Sequence, residues 1–263
     1  MPPALHKRRI PCTAAALIAC LMPLAPRRAC AIDFYEIQIY RVETTPVHHL
    51  SLELHSNTTT TATGEWAHEA IDPYQVHETF EASYGLLDWL EIGQYLCTAK
   101  LSDGHYEYAG ARTKIHFGVP QSEDWPLQIG GNIELEYMRF QAEEHPLSLE
   151  IRPIVQKKLS RFTLVANLTV EKPFSGQGNK GVGFSPSGEL LYRLTDWIEP
   201  GMEYYSEIGP LSDIPSVQHQ QQFVVPTLNF DFLPQLELNF GVGIGLTRTS
   251  NGLFLKSIVG WTF

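Results

Sequence analysis

The chain has 263 residues, 43% of them hydrophobic, and carries 19 Lys and Arg against 29 Asp and Glu for a formal net charge of −10. No apolar run reaches the 18 or more residues that a membrane-spanning helix needs, so any crossing of a bilayer falls to strands. The acidic balance makes nucleic acid a poor partner.

The first segment reads as an export signal: Lys7-Arg8-Arg9 form a basic start, Ala14 to Leu24 an apolar stretch, and Ala29-Cys30-Ala31 a small-x-small cleavage site. This predicts a signal peptide over 1–31 and a mature chain that begins at Ile32. A competing reading takes Leu17-Ile18-Ala19-Cys20 as a lipobox that leaves Cys20 as a lipidated terminus. Removing the five basic residues of 1–31 leaves 14 Lys and Arg against 29 acidic residues, a net charge of −15. Only Cys97 then remains of the four cysteines, so neither a disulfide framework nor a cysteine metal site can be built.

Residues 32–46 form the next unit. Phe34–Glu43 looks like a strand, yet the strands that follow already make an even number, so 32–46 is expected to be a periplasmic N-terminal segment or a plug inside the lumen. From 47 to 263 the chain reads as period-2 segments of about ten residues, the length of a tilted membrane strand. In one of them Leu127, Ile129, Gly131, Ile133, Leu135 and Tyr137 oppose Gln128, Gly130, Asn132, Glu134 and Glu136. In another, Leu236, Leu238, Phe240, Val242, Ile244 and Leu246 oppose Glu237, Asn239, Gly241, Gly243 and Gly245. A helix cannot gather such a pattern on one face.

Strands are predicted near 48–58, 77–87, 90–100, 105–117, 127–140, 147–157, 162–173, 184–194, 197–208, 221–233, 236–247 and 252–263. The fold class is all-β, a single closed antiparallel transmembrane barrel of about 12 strands over 47–263. Tight connections at 87–89, 158–161, 194–196 and 233–235 alternate with long ones at 59–76, 174–183 and 209–220, as short turns on one rim and long loops on the other require. The 118–126 connection is the exception, long where a tight turn is expected. Tyr84-Gly85-Leu86-Leu87-Asp88-Trp89-Leu90-Glu91-Ile92-Gly93 aligns with Tyr192-Arg193-Leu194-Thr195-Asp196-Trp197-Ile198-Glu199-Pro200-Gly201, as though one hairpin were used twice.

The ending Val259-Gly260-Trp261-Thr262-Phe263 resembles the C-terminal strand signature of bacterial outer-membrane proteins. That resemblance implies an assembly signal at Trp261 and Phe263, read by the barrel-assembly machinery, and outer-membrane lipid as the surrounding partner. The hairpin Tyr84–Glu91 also resembles the "YGLTDxLE" turn of transporter-like outer-membrane barrels associated with the meta-pathway of phenol degradation, with Leu87 and Trp89 as departures. Ten residues and their echo support the barrel class and do not imply an aromatic substrate.

Inward parity collects Glu53, Glu81, Glu91, Glu134, Glu136, Glu150, Glu171, Glu199, Glu203, Asp231 and Glu237, against Arg112, Lys114, Arg152 and Lys256. A lipid-facing cation costs about 2–4 kcal/mol at the midplane, so the lumen is where these charges belong. The surplus of carboxylates predicts a water-filled, cation-preferring lumen for small solutes of unknown identity. The opposing reading is a structural or assembly barrel, packed with ion pairs and closed to solute. An outer-membrane lipid-modifying enzyme is a third reading, since outer-membrane phospholipases are also twelve-stranded. It lacks a base, because His55, His77 and His116 all take lumen parity. Ser102-Asp103-Gly104-His105 reads as a loop. No catalytic residue, cofactor or metal site is expected, the nine histidines after Ile32 offering no ligand spacing beyond the adjacent His48-His49.

Overall fold

The computed structural model describes residues 33–263 apart from 61–64, 67–68, 71–74, 101–103, 121–124, 140–141, 143–144, 177–180 and 251. The signal segment, its rival lipobox and the pair Ser102-Asp103 lie outside the described residues. Twelve strands of 10 to 13 residues follow in order: β1 (Leu50–Thr59), β2 (Val76–Leu87), β3 (Leu90–Lys100), β4 (Tyr106–Gly118), β5 (Gln128–Met138), β6 (Leu147–Leu159), β7 (Phe162–Pro173), β8 (Gly183–Tyr192), β9 (Ile198–Glu207), β10 (Gln221–Phe230), β11 (Leu236–Gly245) and β12 (Leu253–Thr262). Each pairs antiparallel with its sequence neighbours, and β12 returns to β1 through Ser51 opposite Thr262 to Thr59 opposite Phe254. The sheet therefore closes. Closure is what a hydrocarbon medium demands, because an open edge would leave backbone N–H and C=O groups without water or partner.

Alternation sorts the side chains. Leu52, Phe80, Leu96, Ile115, Leu135 and Leu168 are among the large apolar residues exposed on the outside. Aromatic residues gather toward both rims: Trp89, Trp197, Phe232, Trp261 and Phe263 at the end of short turns, Tyr106, Tyr108 and Tyr137 at the other. Trp197 stacks on Phe232 with ring centroids 5.2 Å apart. Rings with an apolar body and a polar edge suit the two lipid–water interfaces.

The two rims differ as expected, with one exception on the turn side. The 119–127 connection is long yet lies on the turn side, between β4 and β5. Across the loop side, two short pieces that the period-2 pattern did not reveal add structure: Glu65–Trp66 pairs with Glu69–Ala70, and Gly209–Pro210 pairs back onto Gly183–Phe184. Two ladder gaps coincide with prolines. The β6–β7 register is interrupted between Ile151 and Ile154 around Pro153, and the β10–β11 register between Val224 and Thr227 around Pro226. Proline has no N–H to give a ladder.

A closed ladder resists detergent until it is heated. Unheated protein should migrate differently from boiled protein on a detergent gel and give a β-rich circular dichroism spectrum; a helical spectrum would contradict the fold.

Candidate functional site

Residues 33–46 run lengthwise through the barrel. Phe34, Tyr35, Glu36, Ile37, Ile39 and Tyr40 are buried, without strand pairing, and the chain emerges at the turn rim where Val47 bridges to Gly85. Phe34, Ile37, Ile39 and Tyr40 form one apolar cluster with Ile154, Val165, Tyr205, Phe223, Val225 and Phe254 from the wall. Tyr35 joins a second with Tyr95, Cys97 and Met138. The backbone of the segment is satisfied by wall side chains rather than by a ladder. Asn167 accepts from the Tyr40 N–H and donates to the Tyr40 C=O, both at 2.8 Å, Asn57 donates to the Phe34 C=O at 2.8 Å, and Gln156 accepts from the Val42 N–H at 3.1 Å. Buried peptide groups need such partners.

Charge ties the segment in place. Glu36 receives Arg112 at 2.5 Å and Arg152 at 3.2 Å, Asp33 also pairs with Arg112, and Arg41 reaches Glu189 at 3.0 Å and Glu199 at 3.5 Å. The Arg152 guanidinium lies 4.7 Å from the Tyr40 ring centroid, and the Tyr40 and Tyr95 hydroxyls are 2.5 Å apart. Burial by itself would raise the Glu36 carboxyl, but the Arg152 and Arg112 guanidiniums outweigh it and hold the group at about 2.

The predicted inward residues fall into four groups. Near the loop side, Arg112 pairs with Glu136 at 3.4 Å, Arg152 with Glu150 at 2.6 Å, and Glu171 stands opposite Glu150 in the β6–β7 register. On β5, Glu134 accepts from Asn132 at 2.5 Å. Lower in the barrel, Lys114 pairs with Glu81 and, at 3.1 Å, with Glu91, while Lys256 pairs with Glu203 at 2.7 Å. Glu53, Asp231 and Glu237 border open space, Asp231 lying just past β10 on the rim. Sequence reading missed Asp33, Glu36 and Arg41, which lie outside the strands, and Glu189, whose inward parity on β8 was available. His55, His77 and His116 are buried inside, as their parity required.

The duplicated hairpin has a structural counterpart. Its copies are the turns β2–β3 and β8–β9, six strands apart and so on facing walls. Glu91 and Glu199 hold equivalent places, both buried, and both grip the inner segment: Glu91 accepts from the Thr45 N–H at 2.5 Å and Glu199 pairs with Arg41. Gly85 belongs to one copy only. A Cβ there would sit 2.2 Å from the Pro46 carbonyl oxygen, so glycine is what lets the segment join the wall; its counterpart is Arg193.

Beside the lower half of the segment, toward the turn rim, lies a cavity of about 630 Å³. Its lining holds eight carboxylates, Glu43, Glu53, Glu81, Glu91, Glu189, Glu203, Asp231 and Glu237, against three cations, Arg41, Lys114 and Lys256.

Solved structures share this architecture. An outer-membrane channel from Pseudomonas putida F1 is 12% identical and superposes with a TM-score of 0.62, over 87% of this chain and all of that one. A KdgM porin in complex with disordered oligogalacturonate is 9% identical with a TM-score of 0.55, over 81% and 99% of the two chains. The NanC porin gives 6% and 0.53, over 81% and 98%. The fold is that of outer-membrane porins and channels. No family model and no curated protein matches the sequence, so the likeness to phenol-pathway barrels stays with the hairpin residues alone.

In this porin-like barrel the folded Glu36 carboxyl lies below its ordinary value of 4.5. Its contribution to holding the inner segment is therefore complete above that value and is lost as the pH falls toward 2. Amide exchange over residues 34–43 should accelerate on acidification from pH 5 to pH 2. In Glu36→Gln that acid step should vanish and exchange should be fast throughout; an unchanged profile would show that the Glu36 pairs do not anchor the segment.

Proposed function

We propose that this protein is an outer-membrane channel or transporter for small solutes, with an acidic, cation-preferring lumen narrowed by the inner segment 33–46. The observation that carries this reading is the cavity at the turn rim, with its eight carboxylates and three cations. Low-dielectric walls focus the field of such a surplus and concentrate cations, and salt screens it only over about 10 Å at 0.1 M. The likeness to channel and porin structures supports the fold on which the reading rests. Export through the N-terminal signal delivers the chain to the outer membrane, where the apolar outer face meets lipid.

The segment itself favours a second reading, a closed structural barrel, because its apolar clusters and ion pairs fill the upper lumen. Planar-bilayer recordings separate the two. The intact protein should pass potassium in preference to chloride, the preference should fall in Glu237→Gln with Asp231→Asn, and it should fade toward 1 M salt, where the screening length is about 3 Å. Deleting 33–46 should raise the conductance. Anion preference would refute the acidic-lumen reading, and a native barrel that is silent while the deletion conducts would establish the closed one.

Assembly is the companion expectation. Phe263 and Trp261 are exposed on the outer face at the turn rim, and the Phe263 backbone closes onto Leu50 through an N–H···O bond of 2.8 Å. Deleting Phe263 should lower the amount of protein in the outer membrane and increase its degradation before insertion. Unchanged levels would show that the terminal residues are not an assembly signal.

A further inference from the structure

One lumen cluster keeps a carboxylate oxygen or ring nitrogen on each of its members outside the ion pairs with lysine and arginine. Glu53 and His55 stand two residues apart on β1, both facing inward, and Glu81 lies directly across from Glu53 on β2. The His55 Nε2 is 3.4 Å from Glu53 Oε2 and 3.4 Å from Glu81 Oε2, and one potential ligand atom from each residue lies within 4.8 Å of the others. His55 is 1% exposed and Glu81 3%. None of those three atoms has a hydrogen-bond partner.

We propose that Glu53, His55 and Glu81 form a binding site for a divalent transition-metal cation of the zinc type, in the lumen wall at the head of the acidic cavity. The separations carry this. An N···O distance of 3.4 Å is long for a hydrogen bond. It equals the edge of a tetrahedron whose centre lies about 2.1 Å from each corner, the usual distance from zinc to nitrogen or carboxylate oxygen. A protonated imidazole has a single Nε2–H, which would have to be shared between two carboxylates lying equally far away, each at a long 3.4 Å. Three unpartnered ligand atoms within 4.8 Å of one another instead fit a cation site, and one imidazole with two carboxylates is a ligand set that first-row divalent metals accept.

The surroundings fit the same role. Glu81 Oε1 is held by Lys114 and by the Ser83 hydroxyl at 2.6 Å, so this carboxylate is oriented by one oxygen and presents the other, while Ser51 lies 3.4 Å from Glu53 Oε1. Outer contacts of that kind fix metal ligands in place. Gly93 makes room for the arrangement, since a Cβ there would come within 2.8 Å of both Lys114 Cε and Ser83 Oγ. Three protein ligands leave a fourth position free, and Glu53 and Glu81 both border the cavity from which a cation would arrive. The site does not depend on whether the barrel conducts.

Cobalt(II) is the probe, because four-coordinate Co²⁺ absorbs strongly in the visible and six-coordinate Co²⁺ only weakly. Refolded full-length barrel, stripped with chelator, should bind one equivalent with the intense four-coordinate bands and release it to zinc. His55→Gln and Glu53→Gln should lose the bands, Ser83→Ala should weaken binding by about 10–100-fold, and His77→Gln, another lumen histidine, should leave binding unchanged. The heat-dependent gel shift certifies that each variant is folded. Glu53, half-buried at the cavity wall, is the substitution least able to disturb folding. Absence of four-coordinate cobalt in the folded native barrel, or the same bands in folded Glu53→Gln, would overturn the site and leave His55 as an imidazolium between two carboxylates.

Discussion

Everything in this barrel follows from the requirement that no backbone polar group face hydrocarbon unpaired. The requirement closes β12 onto β1 and forces two-residue alternation on all twelve strands. With the outer face committed to apolar side chains, a charge in the middle of a strand belongs in the lumen, while charges such as Lys100, Glu107 and Lys172 stay near strand ends. The lumen thus becomes dense with ionisable groups, and their mutual compensation is the second problem the sequence has to solve.

The inner segment is part of that solution. Arg112 and Arg152 stand on neighbouring walls, and Glu36 sits between them, so one carboxylate from a non-strand segment links β4 to β6. Removing one member of such a buried group costs about 3–5 kcal/mol, because the remaining charges are left in a medium that cannot solvate them. Arg41 plays the converse part toward Glu189 and Glu199. The segment brings its own carboxylates and its own guanidinium, and Asn57, Asn167 and Gln156 act for it as a ladder made of side chains.

Charge is divided unevenly along the axis. The upper lumen is packed with aromatic rings and paired ions, while the turn-side cavity keeps a surplus of carboxylates beside open space. The duplicated hairpin places Glu91 and Glu199 on facing walls near the turn rim, where both hold the segment.

The sequence by itself determined the barrel: its strand count, the inward parity of the charges and histidines, and the contrast between turns and most loops. These follow from period 2, a local property that survives without knowledge of the partner strand. It left 32–46 divided between a leader and a plug, and tertiary structure decided the path of its described residues. The segment's burial depends on polar side chains separated from it by more than a hundred residues in sequence, such as Asn167 opposite Tyr40. Arg41, a further cation facing the inward carboxylates Glu189 and Glu199, was not among the inward charges because it lies outside the strands. Convergence of Glu53, His55 and Glu81 was hidden as well. Parity put all three inside, but the register that sets Glu53 across from Glu81 exists only once the strands have paired.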